Sequence, residues 1–182
     1  NKYFGGEVRR PADWNEEPDA DLRRLAGETA DSYVRLMDVY HNAEALDAVM
    51  GLAKRCNKYI DETMPWALAK DEAKRDRLGT VLYNLLESIR FAATMLRPYL
   101  PETADKIFAQ LNTADNGVES LASFGGIQAG AQVGEASILF ERIDIPKKLA
   151  EIEAEKQAAQ TAEQPVVTFL PDIPFDDFCK VD

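Results

Sequence analysis

Histidine and cysteine are nearly absent from this chain: His41 stands alone, and Cys56 and Cys179 are the only two thiols in 182 residues. A structural zinc site needs four such ligands and a disulfide framework needs several paired cysteines, so neither organises the fold. Glu44 follows His41 by three positions, but a two-metal bundle site draws several Glu and His residues from different helices, and that supply is missing. No metal is expected. Unpaired thiols fit a reduced, cytoplasmic setting. Also lacking are a Gly-x-x-x-x-Gly-Lys loop and any serine or cysteine placed with a histidine, so no catalytic residue is expected. The adjacent carboxylates Asp61-Glu62, Asp71-Glu72 and Asp176-Asp177 read as solvated faces or helix starts rather than acid/base pairs. No apolar run approaches the roughly 20 residues that span a bilayer, and no signal peptide opens the chain, so no membrane is expected.

Apolar residues make up 46% of the chain, enough for one sizeable core with an extension. The net charge of -11 is unevenly spread. Residues 1–111 carry 16 basic against 19 acidic side chains, and the remainder 5 against 13, so most of the excess acidity lies late. Between Lys54 and Arg77 the balance turns positive, seven basic to five acidic, a weak electrostatic footprint. Any RNA binding there rests on a few placed contacts, with few counterions released.

The stretch Tyr40 to Lys70 organises the rest. Leu46, Val49, Ala53, Cys56 and Ile60 recur at intervals of three and four and share one helical face, with Asp47, Lys54, Arg55 and Lys58 on the other. Pro65 lacks an amide proton and biases Met64 away from helical geometry, so the helix stops near Thr63 and the chain turns. A large indole, Trp66, follows the break. The residues themselves leave two readings of it, a core filler stapling a corner or an exposed platform.

Before this stretch, Asn1 to Gly6 read as the last turn of a helix whose body lies upstream, so the start looks like a cut inside a longer protein. Glu7 to Ala20 form a connector rich in proline and charge; its Trp14 either pins the connector to the bundle or serves as a second platform. Glu16-Glu17-Pro18-Asp19 suit a helix start, and Leu22, Leu25, Ala26, Thr29, Tyr33, Leu36, Met37 and Tyr40 follow helical spacing up to His41-Asn42, which closes the helix. After the charged run Asp71 to Arg77 comes a broad apolar stripe: Leu78, Val81, Leu82, Leu85, Leu86, Ile89, Ala92, Ala93 and Leu96. Arg97-Pro98 ends that core helix, and Pro101-Glu102 starts a shorter one with Ala104, Ile107, Phe108 and Leu111 on one side. Tyr59 and Tyr83 are expected to pack inside with their hydroxyls reaching the surface. Short connections imply antiparallel neighbours, hence an all-α, up-and-down helix bundle over residues 1–111 whose first helix is truncated. Residues 112–145 read as an irregular extension, with a helical turn at Val118 to Ala122 and a short strand at Ser137 to Phe140; 146–171 read as a charged, partly helical linker.

The run Asn57-Lys58-Tyr59-Ile60-Asp61-Glu62-Thr63, then Pro65-Trp66, then Leu68-Ala69-Lys70, resembles the Asn-x-Tyr-Ile-x-x-x-x-Pro-Trp-x-Leu-Ala-Lys signature of the anticodon-binding domain of methionyl-tRNA synthetases. The string from Arg77 to Leu111 is similar to the next two helices of that family, and Val133-Gly134 with Leu139-Phe140 and Arg142-Ile143 resembles its segment that folds back toward the catalytic half, with Glu141 where a proline is common. Residues 172–182, with Asp176-Asp177-Phe178 and Lys180-Val181-Asp182, are similar to the opening strand of the OB-fold tRNA-binding module appended to many bacterial members. The family's ATP-handling signatures, His-Ile-Gly-His and Lys-Met-Ser-Lys-Ser, are both absent.

The resemblance implies the class I synthetase type of bundle and part of a methionine-tRNA ligase whose ATP and magnesium, and optionally zinc, act in a catalytic half outside this stretch. The stretch itself then holds no cofactor. It implies that Trp66 stacks on the first base of the CAU anticodon of tRNA(Met), with Pro65 fixing its presentation, while asparagine and arginine side chains on the upstream helix do most of the choosing. Asn57 and Lys70 match the signature: Asn57 meets a base or sugar or else makes a helix-to-loop hydrogen bond, and Lys70 meets phosphate or is merely solvated. The implied partners are the anticodon loop, the parent's own catalytic domain and, through the OB-fold module, a second copy. A reading from another class is a helical module that docks a protein through the Pro65-Trp66 corner.

Overall fold

The first helix, α1, spans Glu17–Asp38 in the computed structural model, which describes residues 2–12 and 17–161. Trp14 and residues 172–182, with the readings made of them, lie outside the described residues. Acidic side chains and Pro18 open α1 as expected, but Asp19 is fully buried. Its inner face carries Leu22, Ala26, Ala30 and Tyr33. The helix ends earlier than His41: Tyr40 takes a left-handed backbone (φ 62°), and the His41 amide donates to Leu36 O. Tyr40 is therefore an exposed turn residue, and Asn42 opens the next helix instead of closing this one.

Helix α2 covers Asn42–Thr63 and packs antiparallel on α1 across the three-residue turn. Its buried line is Ala45, Val49, Leu52, Tyr59 and Thr63, with Cys56 and Ile60 partly covered. Arg55 does not lie on the wet face as expected. Its side chain is 12% exposed, held between Asp21 at 2.6 Å and Glu62 at 3.0 Å, because α1 approaches along that edge and its acidic residue neutralises the guanidinium. Met64 then breaks the helix, the single turn α3 (Pro65–Leu68) follows, and a 3-10 turn at Glu72–Lys74 is capped by Asp71, which accepts from the Ala73 amide at 3.1 Å.

Helix α4 (Arg75–Leu96) lies between α1, α2 and α5 (Pro101–Leu111). Being central, it is covered almost all round, and its polar residues Thr80, Asn84, Glu87, Ser88 and Arg90 are buried alongside Val81, Leu85, Phe91 and Met95. The expected stripe is partly displaced: Leu82 and Leu86 are half-buried and Ile89 is 41% exposed, with Leu86 in the cluster that Ile107 and Leu111 of α5 share. Residues 112–139 belong to the same compact unit as the bundle. They hold the 3-10 turn Val118–Ala122 and an antiparallel bridge, Gln132 with Glu7. Ser137 to Phe140 form no strand, contrary to expectation.

A separate unit begins at Phe140 and contains helix α6 (Ile145–Thr161). Its side chains through Gln157 are exposed. No helix among the described residues is long and apolar enough to cross a membrane.

Candidate nucleic-acid interface

Met64 makes the corner. Its left-handed backbone (φ 44°, ψ 62°) lets its amide donate to Ile60 O at 2.9 Å while reversing the chain. Pro65 needs no amide partner at the first position of a helix, and its ring is buried. Trp66 is 48% exposed, so the indole stands at the surface with its backbone anchored. The ring is therefore not the buried core filler of the first reading. The hydrogen bonds Ala69 N to Pro65 O and Lys70 N to Ala67 O continue the turn as far as Lys70. Lys70 is exposed. Asn57 is also exposed, on α2, six residues before its end and so about 9 Å along the axis at 1.5 Å per residue. It makes no helix-to-loop hydrogen bond among the described residues.

Beneath the corner lies a network that spacing could not reveal. Tyr59 OH donates to Asp19 at 2.5 Å, and the same carboxylate takes two hydrogen bonds from Arg77, at 2.6 and 3.0 Å. Asn84 Nδ2 donates to the Tyr59 hydroxyl at 3.1 Å, and Thr63 Oγ1 to Tyr59 O at 2.6 Å. The Tyr59 hydroxyl is thus enclosed and does not reach the surface as expected, because the carboxylate it serves is itself buried. Burial first, then the hydrogen bond to Asp19, raises the phenol above its ordinary value. Three helices meet in this cluster at the level where α2 gives way to the corner.

Tyr83 departs from expectation in the same way. Its hydroxyl donates to Ile127 O at 2.9 Å, tying α4 to the extension, and burial pushes its pKa up to about 12. Nearby, buried Glu87 accepts from Arg90, Gly125 N and Ile127 N. Arg90 in turn donates to Ser120 and Ser123 O and pairs with Asp115.

A second polar surface adjoins the corner. The 3-10 turn brings Lys74 beside Thr63 and Leu68 in one depression, and Arg75, the next residue, faces another shared with Arg9 and Arg10. Neither arginine of the connector was singled out by sequence. Among the described residues no group of three or more His, Cys, Asp and Glu side chains converges as a metal site. His41 faces only Glu44, at 3.5 Å, both exposed.

The arrangement suits recognition rather than bond chemistry: a half-open aromatic face, an exposed amide and exposed cations on a rigid bundle. Comparison with known proteins points the same way. The family described as the anticodon binding domain of methionyl tRNA ligase matches residues 11–160. The methionine-tRNA ligase of Clostridium acetobutylicum is 46% identical over the whole of this chain, which covers 28% of that protein. The Bacillus subtilis ligase is 36% identical, with 29% of its length covered. The chain thus spans less than a third of the relatives it matches. The crystal structure of the free Mycobacterium tuberculosis methionyl-tRNA synthetase superposes with a TM-score of 0.73 at 27% identity, over 79% of this chain and 29% of that one.

Proposed function

The chain belongs to the family of methionyl-tRNA ligase anticodon-binding domains, and from that premise we propose that it reads the CAU anticodon of tRNA(Met) for a methionine-tRNA ligase acting in the cytoplasm. Loop bases are splayed from their stack, laid on aromatic faces and told apart by hydrogen bonds on their edges. The half-exposed Trp66 ring on its buried proline carries the reading. Trp66 receives the first anticodon base, the cytosine, and Pro65 fixes the indole. Asn57 serves a base edge or ribose and Lys70 a phosphate. Because every base has a flat face, the indole supplies affinity and little choice; the choosing falls to an upstream helix.

That helix occupies the apolar groove of about 370 Å³ lined by Leu82, Leu86, Ile89 and Val133, with Tyr3 and Phe4 at its side. The groove's apolar lining supports this, as does the greater length of the relatives. Attachment of methionine, with ATP and magnesium, takes place in the parent's catalytic part, and an OB-fold module after this chain pairs two copies.

The test is Trp66→Ala in the full-length ligase. Stacking contributes roughly 1–3 kcal/mol per base, so aminoacylation efficiency with tRNA should fall about ten-fold or more. ATP-dependent activation of methionine should be unchanged; a parallel fall in both activities would mean that the indole acts through stability and would overturn the reading.

A further inference from the structure

Arg9 and Arg10 of the connector and Arg75 at the start of α4 meet in one cleft of about 440 Å³, whose remaining wall is Glu7, Val8, Asp76, Ala129 and Gly130. The cleft is built, not incidental. Val8 N donates to Ala131 O and Gly130 N to Val8 O, both at 2.8 Å, so the arginine-bearing connector is pinned against the extension. Arg9 and Arg75 both stand over the Phe4 ring, their guanidinium carbons 5.4 and 5.2 Å from its centroid. One aromatic ring therefore fixes where two of the three cations sit. A side chain built on Gly79 would press on Arg9 Cβ at 3.0 Å, so glycine there leaves the connector room to lie against α4.

Carboxylates are present as well: Glu7 pairs with Arg9 at 3.0 Å and Glu72 with Arg75 at 3.2 Å, while Asp76 shares the wall. Both pairs are well exposed, and such pairs contribute little, so the guanidinium groups can turn to a stronger anion. Arg10 is exposed and has no partner among the described residues. Guanidinium groups match phosphate oxygens two at a time. In a chain of net charge -11, three converging arginines form a local exception to the prevailing sign.

We propose that the cleft of Arg9, Arg10 and Arg75 holds a backbone phosphate of the RNA whose loop base lies on Trp66, an inference that rests on the anticodon reading. Lys74 connects the two places. It lines the depression beside the corner with Thr63 and Leu68, and its neighbour Arg75 lines the cleft, so a strand leaving the indole passes along the 3-10 turn. Phosphate contacts set position and carry no sequence information.

The experiment measures binding of the full-length ligase to two anticodon stem-loop RNAs, one with CAU and one with its first base replaced, across a salt series. Arg10→Gln and Arg75→Gln should each lower the slope of log affinity against log salt by about 0.7–0.9, and weaken both RNAs by the same factor. Arg75→Lys, which keeps the charge, should keep the slope and so separates charge from misfolding. Arg35→Gln, an equal loss of charge near the opposite end of α1, should leave the slope alone. Unchanged slopes in both cleft variants, with Trp66→Ala still weakening binding, would overturn the cleft and spare the anticodon reading. Lowered slopes with a silent Trp66→Ala would do the reverse.

Discussion

Tyr59 joins three helices through one oxygen. It donates to Asp19 of α1 and accepts from Asn84 of α4, while its own carbonyl takes the Thr63 hydroxyl at the end of α2. Replacing it with phenylalanine leaves the ring volume intact and removes the oxygen, so Asn84 loses an acceptor and Asp19 keeps only Arg77. A buried group stripped of its partner costs about 1–3 kcal/mol, and Tyr59→Phe should lower the urea midpoint accordingly without changing the denaturant slope. Trp66 is the contrasting case. Its half-exposed ring has less to lose on folding, so Trp66→Ala acts on RNA before it acts on stability. Spacing left two readings of Trp66 and the family resemblance implied the exposed one, which is observed; that the Tyr59 oxygen lies inside was not visible. Periodicity reports which face is covered, but Asp19, Tyr59 and Arg77 are far apart in sequence, and nothing local marks their meeting.

At the scale of elements, proline and apolar spacing located α2, α4 and α5 well, because each boundary has a local cause: Met64-Pro65, Arg97-Pro98 and Pro101. The extension was harder. Residues 112–139 contain turn signals but almost no regular structure, and they are held by what α4 and α5 offer them. Asn112 reaches Gln132 O at 2.9 Å, Gly134 N donates to Gln110 O at 2.8 Å, and Val133 N to Gly6 O at 2.9 Å. Sequence placed Gly134 among turn signals and in the Val133-Gly134 pair of the resemblance, with no reason for the glycine itself. The reason is steric, since a Cβ there would collide with the Ala109 carbonyl of α5. That atom belongs to helix backbone and cannot swing aside. Gly134→Ala should therefore destabilise the chain by about 1–3 kcal/mol, seen as a lower melting temperature. Gly27→Ala, on α1 with open space around its Cβ position, is the control and should be neutral or stabilising.

The compact unit that ends at Leu139 is a bundle whose joints are polar, although its faces are apolar. Tyr59 sits where α1, α2 and α4 meet, and Tyr83 where α4 meets the extension, so the two phenols report on the two main unions of the fold. Both hold their protons more tightly when folded than an ordinary tyrosine, whose pKa is 10.0, Tyr83 up to about 12. Below about pH 10 the folded and unfolded chains bind these protons equally, and stability gains nothing from a change of pH. Above it the unfolded chain releases protons that the folded chain still keeps, so the equilibrium is drawn toward unfolding as the pH rises toward the folded values. Urea midpoints should thus fall between roughly pH 10 and 12, with the Cys56 thiol, raised likewise by burial, starting the decline somewhat earlier, and far-ultraviolet and tyrosine signals should move together because both unions open at once. Tyr83→Phe starts from a lower midpoint and should show a shallower fall. A midpoint indifferent to pH over that interval would mean that neither hydroxyl is enclosed in solution, and the joints assigned to them would have to be found elsewhere.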